Sequence, residues 1–128
     1  MVKDSKEWAL QAEYDLDVAK SMFEAGKHIY CVFMCHLSLE KMLKGLYREN
    51  LGDDPPKVHS LIYFAEVQRL KLSEETSNFL SDLDNLSVPT RYPEQLNKVL
   101  GEYSKNRSEK ILRNTGEVIK CLKEKLKK

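Results

Sequence analysis

Arg91, Tyr92, Lys44, Glu40 and His36 are the side chains whose types and spacing suit binding chemistry. Arg91 and Tyr92 lie between Pro89 and Pro93 in the stretch SVPTRYPEQ. A guanidinium is a planar fork of donors that matches phosphate or carboxylate. A tyrosine ring offers a stacking face and a hydroxyl. Each proline fixes one backbone angle and restricts the residue before it, so the stretch predicts a stiff loop that presents Arg91 at low entropic cost. Lys44 adds a point charge suited to phosphate. Glu40 falls on the same helix in an otherwise apolar region, where a carboxylate needs a partner. His36 precedes it by one helical turn, close enough for the side chains to meet. Two readings stand side by side. Arg91 grips the phosphate of a ligand, or it pairs with Glu40 and only anchors its loop. His36 reads as a satisfied core histidine that supports the site, and His59 as a residue that sets the start of its helix.

Other chemistry is missing. The chain has no glycine-rich phosphate loop, no nucleophile elbow and no signature of an RNA-binding sheet. Cys31, Cys35 and His36 have no second ligand pair at zinc-like spacing, so neither metal nor cofactor is expected. No catalytic residue is assigned. All three cysteines fall in apolar helical surroundings, which predicts buried, reduced thiols.

The elements that must position these residues are helical. Hydrophobic residues make up 41% of the chain and charged residues 32%, and there are only five glycines and four prolines to spend on turns. No segment alternates with period two for long enough to predict a strand. The pattern predicts an all-α domain over residues 1–128, a compact antiparallel up-and-down bundle of four long helices plus one shorter helix. Helix one spans about Asp4 to Ala25, with Asp4 and Glu7 as a capping box and Gly26 as its stop. Helix two spans about His28 to Glu49. A short third starts near His59 or Ser60 and runs to about Leu70, and Ser73 caps the fourth. The last starts at Ser104 or Asn106 and runs to about Leu126, and LNKVLGEY holds at most a short turn.

On helix two, Phe33 and Leu37 share one broad arc with Glu40, Lys41, Lys44 and Arg48. That face passes from apolar to charged, as a subunit contact beside a polar site would, or as a helix sunk more deeply at one end. Net charge is +1, but residues 98–128 hold ten basic and four acidic side chains, a balance of +6. This asymmetry suits an anionic partner, and equally an exposed helix of i, i+4 ion pairs. With no membrane-length apolar run and no signal-peptide pattern, the expected location is cytoplasmic.

Several pieces in order carry a family resemblance: AEYDLDVAKSMFEAGKHIYC, CHLSLEKMLKGLY, PPKVHSL and PTRYP. Together they resemble the HEPN domain family over about Trp8 to Leu122, in particular its prokaryotic members associated with minimal nucleotidyltransferases. The resemblance implies a helical bundle that pairs into a homodimer. It also implies a nucleotidyltransferase-like protein as partner, in a toxin–antitoxin-type pair, and nucleotide or RNA as ligand. Some members are metal-independent ribonucleases that use an arginine, four to six intervening residues and then a histidine. Here those positions after Arg91 are Leu96, Asn97 and Lys98. A non-catalytic binding module is therefore the expectation. The alternatives are a ribonuclease with an altered site, Arg91 with His36 or Tyr92, and a purely structural dimer.

Overall fold

The computed structural model describes residues 4–126. Six helices follow in order: α1 (Ser5–Glu24), α2 (His28–Leu51), α3 (Leu61–Val67), α4 (Glu74–Arg91), α5 (Leu96–Glu102) and α6 (Lys105–Glu124). No strand occurs among the described residues.

Local chemistry starts and stops these helices where the sequence says it should. Asp4, Ser60, Ser73 and Ser104 each accept a first-turn amide through the side chain, which satisfies a donor the helix itself leaves free. Gly52 ends α2 in the left-handed conformation that glycine adopts without steric cost.

The long α2 runs through the middle, with α1 and α6 on one side and α3 and α4 on the other. The α1–α2 hairpin is close-packed because small residues face each other. Ala12 and Ala19 are fully buried, and a Cβ added at Gly45 would stand 3.0 Å from the Trp8 Cβ. Leu39, Leu43, Leu46, Leu80, Leu83 and Leu122 fill the centre. Each such side chain contributes about 1.5–3 kcal/mol when removed from water.

Three expectations need correction. The SVPTRYPEQ stretch is not a loop throughout: α4 continues through Pro89 to Arg91. Proline removes an amide donor from the ladder, and side-chain donors satisfy carbonyls around it. Ser87 donates to the Asp84 carbonyl, Thr90 to the Ser87 carbonyl, and the Tyr103 hydroxyl to the Leu86 carbonyl. LNKVLGEY forms a second short helix, α5. Cys31 and Cys35 are buried, but Cys121 is exposed, because it lies on the outer side of α6 while Leu122 beside it faces the core.

Candidate functional site

Glu40 is the centre of the polar part of the molecule. It projects from the middle of α2 and its side chain is only 4% exposed. An isolated carboxylate is very costly at such a position. Four cationic or protonatable groups surround it. Lys44, one turn later, donates to Oε2 at 2.8 Å. The His59 Nδ1 lies 3.2 Å from Oε1 and 3.1 Å from Oε2. Arg91 Nη2 stands 3.7 Å from Oε1, and His36 Nδ1 stands 3.9 Å from it.

A second carboxylate organises the other half. Asp84, on the inward arc of α4, accepts from His36 Nε2 at 2.9 Å. It also accepts the backbone N–H groups of Leu61 and Ile62 and the Ser60 hydroxyl. Burial pushes its carboxyl up, but the His36 bond, the two backbone donors and the His36 charge together outweigh it and hold the carboxyl below the usual range. One aspartate thus ties α4 to the first turn of α3 and to α2. These bonds also fix two imidazoles. His36 donates Nε2–H to Asp84, and His59 donates Nδ1–H to Glu40 and directs Nε2 away from it.

The residues expected at the site divide into two groups. Arg91, Tyr92 and His36 line a surface cleft of about 310 Å³, together with His59, Asp84 and Val88. Arg91 stacks on Phe33, 4.8 Å from the ring centroid, and its side chain is 22% exposed. Its Nη2 is buried without a hydrogen-bond partner. Tyr92 is 82% exposed at the cleft edge. Lys44 does not line the cleft. It is buried behind Glu40, 5.7 Å from the centroids of both the Trp8 and Phe64 rings, so the expectation that it meets phosphate gives way to a partner for Glu40. Glu40 and Arg91 do face each other, but at 3.7 Å, and Lys44 and His59 are the closer partners of Glu40. A larger hollow, about 450 Å³ between α4 and α6, shares none of these residues.

Sequence reasoning missed Asp84 and the closeness of His59 to Glu40. Asp84 did leave a signal, since it shares the inward arc of α4 with Leu80, Leu83 and Ser87. For His59 there was none, because its bond to Glu40 spans nineteen residues across a prolyl turn. Among the described residues no group of three or more His, Cys, Asp or Glu side chains is placed to hold a metal ion.

The HEPN domain matches residues 5–126, nearly the whole chain, and the chain belongs to that family. Two crystal structures share the fold. TT1696 from Thermus thermophilus is 22% identical, with a TM-score of 0.81 over 95% of this chain and 98% of that one. ST0689, an archaeal HEPN homologue, is 21% identical, with a TM-score of 0.78 over 97% of this chain and 98% of that one. No curated protein matches the chain. No helix among the described residues is long and apolar enough to cross a membrane.

Proposed function

We infer that this chain is a phosphate-recognising HEPN module that binds a nucleotide or RNA in the cleft beside Arg91. The observation that carries this reading is the allocation of charge around Glu40. Lys44 and His59 already occupy its oxygens at hydrogen-bond distance, while Arg91 stands at 3.7 Å, beyond that distance, and keeps 22% of its side chain exposed along the cleft. A guanidinium left with donors to spare beside an open cleft is an anion receptor. Tyr92, exposed at the same edge, provides the face on which a base stacks. Equilibrium binding of fluorescent single-stranded RNA and of labelled nucleotides tests this. Arg91→Ala weakens binding at least about tenfold, the loss expected for one charge-assisted contact. Unchanged affinity in that variant removes the reading.

The module works as a homodimer beside a minimal nucleotidyltransferase-like partner in a toxin–antitoxin-type pair. The family resemblance supports this, and so does the outer face of α2, where Phe33, Met34 and Leu37 stay partly exposed. Sedimentation of wild type against Leu37→Glu tests the dimer, and co-purification with the neighbouring gene product tests the partner. A ribonuclease is the second reading. Its proton-transfer group would be His59, since His36 is 1% exposed and committed to Asp84. Metal-free RNA cleavage that disappears in both Arg91→Ala and His59→Ala would establish it.

A further inference from the structure

We propose that the cleft takes a terminal phosphate, the dianionic end of a nucleotide or of a 5′-phosphorylated RNA, and that His59 supplies the second positive charge by taking up a proton as the ligand binds. This rests on the phosphate-binding reading above and names the ligand chemistry of that site.

The charges around the cleft lead to it. Glu40 and Asp84 are two anions; Lys44 and Arg91 are two fixed cations. Only Arg91 of the two cations reaches the cleft. An internal phosphodiester carries one negative charge, which Arg91 matches. A terminal phosphate carries nearly two above its second ionisation near pH 6, so it calls for another cation. The histidines are the remaining source, because their charge changes between about pH 5 and 8. His36 is closed off. His59 is not: its side chain is 66% exposed while Nδ1 is fixed against both Glu40 oxygens. That bond turns Nε2 away from the carboxylate, where a second proton serves an incoming anion.

The surroundings of His59 favour this exchange. Glu40, with His36 and Lys44 behind it, faces His59 from α2; Asp84 and Arg91 face it from α4, and Tyr92 stands beyond them. With Nδ1 held against Glu40, a dianion bound at Nε2 is what draws the second proton. The cleft volume, about 310 Å³, falls at the small end of ligand sites and suits one phosphorylated nucleoside better than a strand. By linkage, binding then takes up a proton, and affinity falls as pH rises through the range in which an imidazole loses its charge, by up to about tenfold per pH unit.

Calorimetric titration tests this with three probes: AMP, the 5′-phosphorylated dinucleotide pApA, and ApA, which has only an internal phosphodiester. Each is titrated into wild type and His59→Gln at about pH 6.5, 7.5 and 8.5, in two buffers of unlike ionisation heat. The expected result is proton uptake with AMP or pApA, and an affinity at least about fivefold weaker at the highest pH than at the lowest. ApA binds at least about tenfold more weakly than the better phosphorylated probe, and the pH dependence disappears in His59→Gln. Tighter AMP supports a free nucleotide as ligand, and tighter pApA supports an RNA end. ApA bound as well as either overturns the terminal-phosphate assignment. A pH slope that survives in His59→Gln, or binding without proton uptake, overturns the role of His59 while the phosphate-binding reading stands. If no probe and no longer RNA binds, that reading falls and this inference with it.

Discussion

The two sides of α2 are built differently. Toward α1 and α6 it presents small and branched apolar residues, with polar ties such as the Ser38 hydroxyl donating to the Ala12 carbonyl and the Lys41–Asp15 ion pair. Toward α3 and α4 it presents His36 and Glu40 to a network of charges. The first side follows the rule that close packing gives stability. On the second, costly buried charges stand where leucines would serve the fold as well. Their placement along an open cleft is the difference that points to binding.

The largest test of this contrast is Glu40→Leu. It leaves Lys44 buried without its anion and should cost about 3–5 kcal/mol in urea unfolding. The double variant Glu40→Leu, Lys44→Met removes both charges and should regain most of that loss. A double variant as unstable as the single one would mean that the ion pair is needed for the fold itself, and the contrast would break. On the apolar side, Leu122→Ala should cost about 2–5 kcal/mol by opening a cavity, with phosphate binding retained in the folded fraction.

Asp84→Asn comes next, at about 1–3 kcal/mol, from the weakening of charge-assisted bonds to His36 and to the start of α3. It also carries a pH signature. The Asp84 carboxyl is lower in the folded chain than in the unfolded one. Its contribution is therefore present above the unfolded value, about 4, and is lost as pH falls toward the folded one. Acid unfolding of Asp84→Asn should accordingly show a shallower loss of stability below about pH 4 than wild type. The smallest effect on stability belongs to Arg91→Ala. At 3.7 Å and partly exposed, this pair should contribute less than about 1 kcal/mol. A much larger loss would make Arg91 an anchor and not a receptor.

Much of the architecture was legible because helical periodicity and end signals are local. Trp8, Ala12, Leu16 and Ala19 mark the inner face of α1, and serines mark the starts of α3, α4 and α6. The Pro89 region was not legible, because Tyr103 comes from a later segment to satisfy the Leu86 carbonyl. Cys121 was misplaced by one position on its helix. At the site, Arg91, Glu40, Tyr92 and His36 could be named from residue type. Their allocation could not, since it depends on three elements meeting: Lys44 turns out to belong to Glu40, His36 to Asp84, and His59 to the cleft.

The hold of Asp84 on α3 also bears on how the chain folds. A seven-residue helix is too short to persist alone in water, and Asp84, on α4, receives its first two amides. The segment around His59 is therefore ordered by bonds from α2 and from α4, and the α4 bonds close the chain between Leu61 and Asp84 into a loop. The cleft needs that loop closed, so the α1–α2 hairpin by itself would have no place for the ligand.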